Sequence, residues 1–325
     1  MGKAALFLVI VLILAFAGED GFENLSLPAG SQELAVQVRS LITWGRQRIF
    51  REAEAVSFQE AQGNLKGDLS VTYLDVGQGN CALLEQNGHY MLIDGGDRET
   101  SSRVVSTLKS ENVEKLDYLV VSHYDSDHLA GIIGVLQEFQ VDTVLSPDYT
   151  TDTKLYQSYL TALEEANLQE THPSQGENFS FGDGRFTVVG PVSYGHEDEN
   201  DDSVGIRLQY GSVSFLFCGD AGEEAELEMV SSGMDLSSDV YLVDHHGSSS
   251  STAEEFLRAV DPEYAVISCG KGNDYGHPTE RVLKLLQQYE IELYRTDLQG
   301  TVQAVTDGTE VTWNVEACED FTPGS

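Results

Sequence analysis

The chain has 325 residues, of which 41% are hydrophobic and 22% are charged, a composition typical of a folded globular protein rather than a disordered one. Its 18 Lys and Arg residues stand against 54 Asp and Glu residues, which gives a formal net charge of -36. Proteins that grip long stretches of duplex nucleic acid do so with clustered cations, so this charge disfavours extended, nonspecific DNA binding.

The first segment, residues 1–17, carries one lysine, then an apolar run, and ends in Ala-Phe-Ala. This order predicts a secretory signal peptide that is cleaved after Ala17, and therefore a protein located outside the cytoplasm. The alternative is an uncleaved membrane anchor formed by residues 4–18. The run is shorter than the roughly 20 apolar residues of a typical membrane span, and we expect no integral multi-span domain.

Residues 18–67 are predicted to form a linker followed by an amphipathic helix, which occupies 31–61. Apolar residues such as Leu34, Val38 and Leu41 recur there at helical spacing. The same helix contains a group of basic residues, Arg39, Arg46, Arg48 and Arg51. This group is either a solvated face that offsets the acidic body or a contact for an anionic surface.

Residues 68–316 show a different pattern, in which short apolar strands alternate with helices. This pattern predicts an α/β domain with enough strands to form two sheets. The predicted helices lie at 99–110, 129–139, 153–166, 223–231, 252–260 and 279–289. Asp307-Gly308 predicts a hairpin turn between the last two strands. Residues 317–325 are predicted to be a tail.

The four cysteines lack the C-x-x-C spacing of a zinc ribbon. In a secreted chain they would permit three fully paired disulfide arrangements. Cys218 and Cys269 end apolar, strand-like runs, so we expect buried thiols at these two positions.

The segment SHYDSDHLAG crowds two imidazoles and two carboxylates into six positions, at His123, Asp125, Asp127 and His128. Neighbouring carboxylates repel one another unless a positive charge holds them, and a metal ion is the simplest source of that charge. The segment follows a predicted buried strand, where α/β folds place their sites. Because alternate residues of an extended loop point the same way, the spacing suits two ions.

The order His-x-Asp-x-Asp-His resembles the signature of the metallo-β-lactamase fold. Further stretches resemble successive motifs in the extracellular domain of ComEC competence proteins: VTYLDVGQGN, MLIDGG, FLFCGDA, VDHHGSSSS and NDYGHP. The resemblance covers roughly residues 69–315. It implies a metallo-β-lactamase-like αββα sandwich with a dinuclear metal site.

The resemblance also implies a ligand set for each of two ions: His123 and Asp125 for the first, Asp127 and His128 for the second, with Asp220 bridging them. His246 would complete the second set while His245 faces the substrate, although the reverse assignment of this pair stays open. Asp94 would support the ligands from behind rather than bind an ion.

Three positions differ from the pattern most familiar in the family. Many relatives supply a third histidine to the first ion, and the candidates here are His196 or the acidic run 200–202. Asn80 replaces the aspartate that usually follows Val-Gly-Gln-Gly, at a position expected to be a structural turn. Asp125 replaces the more familiar second histidine, and a hard oxygen ligand shifts preference from strict zinc toward manganese or mixed occupancy. We therefore expect two divalent ions, zinc or manganese.

His277 precedes Pro278, which suits the first position of a helix. The imidazole would then lie at a helix N-terminus, where anions are favoured, or it is a packing residue. Lys271 is a second, weaker candidate for phosphate binding.

Taken together, the sequence predicts a secreted metal-dependent hydrolase, most readily a phosphodiesterase or nuclease acting on DNA or a nucleotide. Two ions can hold a hydroxide between them and lower its pKa toward ~7. Asp127 is expected to be essential for catalysis, and His245 or His277 would contact the phosphate or protonate the leaving oxygen. The net charge favours an alternative, a small-substrate phosphodiesterase such as a phosphorylcholine esterase. A non-catalytic metal-binding module of the same fold is a third hypothesis.

Overall fold

The structure is a computed structural model that describes residues 68–324. The predicted signal peptide, linker and basic helix, all within residues 1–67, lie outside the described residues. Among residues 68–324, no helix is both long enough and apolar enough to cross a membrane.

The described part of the chain contains fifteen strands. In chain order they are β1 (Leu69–Tyr73), β2 (Ala82–Gln86), β3 (His89–Ile93), β4 (Lys115–Val120), β5 (Gln140–Leu145), β6 (Glu170–Thr171), β7 (Asn178–Phe181), β8 (Gly184–Gly190), β9 (Gly205–Tyr210), β10 (Val213–Phe217), β11 (Val240–Leu242), β12 (Tyr264–Ile267), β13 (Glu292–Arg295), β14 (Val302–Thr306) and β15 (Val311–Trp313). They form an eight-stranded sheet, β15-β14-β1-β2-β3-β4-β5-β6, and a seven-stranded sheet, β13-β12-β11-β10-β9-β8-β7.

Seven α-helices connect these strands: α1 (Ser101–Ser110), α2 (Ser126–Glu138), α3 (Lys154–Glu165), α4 (Glu223–Ser232), α5 (Glu254–Val260), α6 (Glu280–Gln288) and α7 (Thr296–Gln299). Two short 3-10 turns occupy Glu199–Asp202 and Asp244–Gly247. The six predicted helices are all present. The sequence pattern does not predict α7 or the strands β6, β7 and β13.

Alternating side chains place each sheet between two apolar layers. On β10, Phe215 and Phe217 enter the core shared by the two sheets, whereas Leu216 points to the opposite face and packs with helix residues such as Phe256. On the first sheet, Leu92 packs on the outer face with residues of α2. Because side chains on a strand alternate between faces, three separate cores result, and the predicted αββα layering is confirmed.

Smaller predictions about this domain are also confirmed. The Asp307-Gly308 turn connects β14 to β15, which pair in an antiparallel manner. Cys218 and Cys269 are buried free thiols.

The predicted tail packs against the domain. The backbone N–H of Cys318 donates to the Leu293 carbonyl at 2.6 Å, and the guanidinium of Arg295 donates to the carbonyl of Thr322 at 2.6 Å. Further along, the N–H of Gly324 donates to the carbonyl of Pro278 at 2.9 Å. These bonds attach the end of the chain to the loop that carries His277.

Glycines let the backbone of α2 lie directly against two turns that follow β1 and β3. A Cβ atom on Gly79 would lie 2.2 Å from the carbonyl oxygen of Asp127, and one on Gly131 would lie 1.8 Å from that of Gly95. The N–H of Gly95 also donates to the carbonyl of His128 at 2.8 Å. No residue with a side chain fits at these contacts, so glycine fixes the start of α2 in space.

We expect Gly131→Ala to lower the free energy of unfolding by about 1–3 kcal/mol, because its Cβ would have to displace a backbone carbonyl. Gly134→Ala in the same helix is the matched control, since its Cβ would meet side chains rather than backbone: the hydroxyl of Ser101 at 2.6 Å and, in ordinary contact, Val105 at 3.5 Å. Alanine should gain up to about 1 kcal/mol of helix propensity there. Urea unfolding of both variants in chelator measures the difference, and equal stabilities would contradict this account of the contact.

Candidate metal centre

The segment predicted to bind metal lies between β4 and α2, at the carboxyl end of a central strand. The helix begins at Ser126, earlier than the predicted start near residue 129, with Asp125 as its N-cap residue. Asp127 and His128 therefore belong to the first helical turn rather than to the preceding loop. Their side chains are fixed by the helix, whereas His123 and Asp125 project from extended backbone.

Four donors from both sheets converge at this point. Ligand atoms of Asp127, His128, Asp220 and His246 all lie within 4.8 Å of one another. His128 Nε2 is 3.1 Å from Asp220 Oδ1, and His246 Nε2 is 3.2 Å from Asp127 Oδ2. Two donors that each lie about 2.1 Å from one tetrahedral ion are roughly 3.4 Å apart. The four side chains therefore have the spacing of ligands to a single divalent ion.

The orientation of the two imidazoles supports the same conclusion. His246 Nδ1 donates to the carbonyl oxygen of Ser268 at 2.9 Å, so Nε2 is the ring nitrogen that faces the cluster and is free to bind an ion on losing its proton. His128 Nδ1 lies 2.8 Å from Asp94 Oδ2 and points its Nε2 inward in the same way. The two Nε2 atoms are only 3.3 Å apart. When these nitrogens lose their protons, a cation between them would accept both lone pairs, and the residues present fit a bound metal.

Asp94 lies behind His128, where the sequence analysis expected it, and does not enter the cluster. Its Oδ1 accepts from the backbone N–H of Ser122 at 2.8 Å, and its Oδ2 accepts from the Ser122 hydroxyl at 2.8 Å. The carboxylate thus orients the imidazole through hydrogen bonds to groups on β3, β4 and α2. A carboxylate in this position fixes the tautomer of a ligand histidine and raises its basicity.

The electrostatics of the cluster favour positive charge. Burial by itself lowers the pKa of His246, but the carboxylates of Asp220 and Asp127 outweigh it and raise that pKa to about 9. Burial likewise opposes the charge on Asp220, yet His128 and His246 hold the pKa of this carboxyl well below its usual range. In the metal-free protein the cluster therefore retains protons, and the same carboxylates attract a divalent cation that would displace them.

A second, looser group of donors surrounds the other residues predicted to bind the first ion. His123 is completely buried and its Nε2 has no hydrogen-bond partner. This nitrogen is 4.0 Å from Asp125 Oδ2 and 4.0 Å from Asp220 Oδ2. Burial, with the neighbouring His128, lowers the pKa of His123 to about 4, so the ring is neutral and can act as a ligand. The second ion stays a prediction, with donors that surround it less closely.

The structure places His196 outside the four-donor cluster. Its Nδ1 lies 2.6 Å from Asp202 Oδ1 and its Nε2 lies 3.5 Å from Glu228 Oε2. Asp201, from the same acidic loop, accepts hydrogen bonds from Gly222 and Ala225 at the start of α4. The acidic loop thus accepts hydrogen bonds from the backbone of α4 and contacts His196. Neither Asp201 nor Asp202 is among the four converging donors.

The pair at 245–246 has unequal positions. Both residues adopt left-handed backbone, with φ of 49° at His245 and 57° at His246. His246 is buried in the cluster, whereas His245 is partly exposed and its Nε2 lies 3.8 Å from Asp220 Oδ2. This geometry supports His246 as the ligand of the tight site, and it leaves His245 at the edge, within reach of a substrate or of the looser group.

His277 lies beside this pair, with its ring centroid 5.6 Å from that of His245. The prediction that Pro278 opens a helix is wrong, because α6 begins at Glu280 with Thr279 as its N-cap residue. Burial and the neighbouring His246 and His245 lower the pKa of His277 to about 4. A neutral ring results, which accepts or donates a hydrogen bond but carries no charge for an anion.

Two residues that the sequence analysis did not assign hold these groups in place. Gln78 Nε2 lies 3.3 Å from His277 Nδ1, and Gln78 Oε1 accepts from the N–H of Gly270 at 3.2 Å. The hydroxyl of Ser268 donates to the carbonyl of Gly79 at 2.7 Å. Gln78 belongs to VGQGN, so the motif itself was the available signal. Asn80, the departure in that motif, is buried, and its backbone N–H donates to the carbonyl of Asp127 at 3.2 Å.

The fold and this centre define the class of the protein. Residues 74–271 match the profile described as Metallo-beta-lactamase superfamily, and the chain belongs to that superfamily. Among characterised proteins it is similar to ComE operon protein 3 of Bacillus subtilis (strain 168), with 29% identity over 257 residues, 74% of this chain and 33% of the relative. It is also similar to competence protein ComA of Neisseria gonorrhoeae, with 32% identity over 242 residues, 73% of this chain and 32% of the relative.

The chain spans about a third of the length of these relatives. Among solved structures it resembles the metallo-beta-lactamase fold protein YhfI from Bacillus subtilis, with a TM-score of 0.50 and 14% identity, covering 76% of this chain and 100% of that one. This likeness concerns the fold alone. The protein is thus a member of the metallo-β-lactamase superfamily, related to competence proteins and equipped with a candidate metal site.

We expect Asp94→Asn to weaken metal binding by about 10–100-fold, because the amide keeps the shape of the carboxylate but loses the charge that polarises His128. Competition with a chromophoric chelator measures the affinity. Asp97→Asn, three residues along and outside the four-donor cluster, is the matched control and should bind metal as the parent does. Unchanged affinity in Asp94→Asn, with a normal far-ultraviolet circular dichroism spectrum, would show that Asp94 does not act on the ligand.

Proposed function

We propose that the protein is a metal-dependent phosphodiesterase whose substrate is a nucleic acid or nucleotide phosphodiester. The observation that carries this proposal is the four-donor cluster of two carboxylates and two imidazoles. If a second ion shares Asp220, the carboxylates neutralise the charge of the bound ions only in part. Net positive charge then remains to attract a phosphate. The similarity to competence proteins supports nucleic acid as the substrate.

Divalent ions, when bound, supply a water molecule of lowered pKa and a positive charge that stabilises a developing phosphoryl anion. Asp127, His128, Asp220 and His246 would hold one of them, and His123 and Asp125 would share Asp220 with a second. His245 is the partly exposed imidazole at the edge of the cluster, in position to contact a phosphoryl oxygen or the leaving group. His277 packs beside it, with the two ring centroids 5.6 Å apart.

A second candidate is a small-substrate phosphodiesterase, such as a phosphorylcholine esterase. The net charge of -36 favours it, because a long polyanion is repelled everywhere except at the metal centre. A non-catalytic module is disfavoured by the complete set of converging donors.

The experiment that tests the proposal uses metal-free protein reconstituted separately with Mn, Zn and Mg. Each form is assayed on an aryl phosphodiester, on linear DNA and on a choline phosphodiester. We expect Mn or Zn to support cleavage of the aryl ester and of DNA. Cleavage of the choline ester without any cleavage of DNA would select the small-substrate hypothesis, and no cleavage of any ester would reject a phosphodiesterase.

Asp127→Ala should lower the rate by roughly 10²–10³-fold or more, since it removes a ligand from the tight site. The fold should persist, because the side chain is partly exposed in the first turn of α2 and belongs to no apolar core. Asp142→Ala removes the same charge from an exposed position on β5 and is the matched control. Similar rates for the two variants, with matched metal, would contradict the role of Asp127.

We further propose that the protein acts outside the cytoplasm, on the basis of the apolar run and Ala-Phe-Ala pattern in residues 1–17. Mass spectrometry of protein recovered from the expressing cells is expected to give a chain that begins at Gly18. Recovery of protein that retains Met1 would favour the membrane-anchored alternative.

A further inference from the structure

An exposed aromatic ring lies next to the metal centre. Tyr275 is 71% exposed, the most exposed of the large hydrophobic side chains among residues 68–324. Its ring centroid is 5.6 Å from that of His277, with the two planes 25° apart. His277 in turn contacts His245 and His246, at centroid distances of 5.6 and 6.2 Å. Only one imidazole therefore separates Tyr275 from the histidines of the site.

The loop that carries Tyr275 is held rigidly by Asn273. The side-chain oxygen of Asn273 accepts from the N–H of Tyr275 at 3.1 Å and from that of His277 at 3.0 Å. Its amide nitrogen donates to the carbonyls of Gly270 at 2.8 Å and of His277 at 2.6 Å. Gln78 adds a bond to each end of the same loop, at Gly270 and His277. Single exposed aromatic residues are ordinary on protein surfaces, but this one is presented at the site by an anchored backbone.

We propose that Tyr275 is a stacking platform for the nucleobase attached to the phosphodiester that reacts. The proposal rests on the proposed function, and it names the part of the substrate that lies beyond the phosphate. Flat bases of any sequence stack on an exposed aromatic face, and this interaction requires no positive charge from the protein. Because one face of Tyr275 lies on His277, the base would stack on the other face, and the nucleoside would span the distance to a phosphate at the metal centre.

The charges of the chain agree with this arrangement. At a net charge of -36, few phosphates of a nucleic acid can be gripped, so affinity must come from contacts other than ion pairs. Lys271, exposed on the same loop, offers one cation to a neighbouring phosphate. The same lysine would repel a quaternary ammonium group, because both carry positive charge. Aromatic rings bind such a group by cation–π attraction, which a nearby cation weakens. The loop therefore suits a nucleotide better than a choline ester.

The test compares esters that share a p-nitrophenyl leaving group and differ in the other alcohol: thymidine, methyl and choline. We expect Tyr275→Ala to raise KM for the thymidine ester roughly ten-fold or more, with little change in kcat, because stacking contributes to binding. The methyl ester should be hydrolysed as by the parent. Tyr275→Phe, which keeps the ring, should behave like the parent, and Leu298→Ala controls for the loss of exposed apolar surface elsewhere. A pair of uridine and 2′-deoxyuridine esters, which differ only in the 2′-hydroxyl, separates a ribonucleotide source of the base from a deoxyribonucleotide one.

A second measurement does not depend on turnover. A phosphorothioate dinucleotide that contains 2-aminopurine is titrated with metal-loaded protein, and stacking quenches its fluorescence. Quenching by the parent and by Tyr275→Phe, but not by Tyr275→Ala, is expected. Equal quenching by all three would overturn the proposal. In the hydrolysis assay, so would an equal loss of activity on the methyl and thymidine esters, or an effect of Tyr275→Ala on the choline ester alone. Failure of the parent to cleave any ester would instead contradict the proposed function, and the titration would still decide whether Tyr275 stacks on a base.

Discussion

The buried carboxylate of Asp94 is the group on which the arrangement of the centre depends. It accepts hydrogen bonds from the backbone and hydroxyl of Ser122, and it orients His128 through Nδ1. The Ser122 hydroxyl also lies 3.0 Å from His123 Nδ1, so one carboxylate fixes imidazoles for both groups of donors. The carbonyl of Ser122 accepts from Val204 at 2.8 Å, which ties this region to the second sheet. The hydrogen bonds of Asp94 thus set both the position and the tautomer of the ligand histidines.

The tight site joins the two halves of the sandwich. Asp127 and His128 come from α2, which packs on the first sheet, whereas Asp220 and His246 follow β10 and β11 of the second sheet. An ion held by all four would add a crosslink between layers that also meet through an apolar core and through hydrogen bonds such as that from Val204 to Ser122. Metal binding should therefore contribute to the stability of the whole domain as well as to its chemistry, because the ligands are assembled only in the folded state.

Much of this centre could be predicted because its signals are local. The strand, loop and helix around His123 to His128 follow from apolar periodicity, and the crowded carboxylates point to a cation. Other features depend on tertiary contacts that no short window contains. His196 stands at a plausible distance along the chain, but its Nδ1 lies 2.6 Å from Asp202 and the residue is outside the four-donor cluster. Strands as short as β6 have no periodicity to detect, and the support from Gln78 crosses 192 residues of sequence to reach Gly270.

The packed tail places residues 318–324 in contact with the segments that carry Arg295 and His277, although they are distant from these residues in sequence. Arg295 is almost fully buried, and two of its acceptors are carbonyls of Asp320 and Thr322. A proteolytic cut that releases this segment would uncover the guanidinium and free the carbonyl of Pro278 from Gly324. The segment beside His277 would then lose one of its fixed neighbours. The position of the loop at His277 therefore depends on a contact made by Gly324, which is distant from it in sequence.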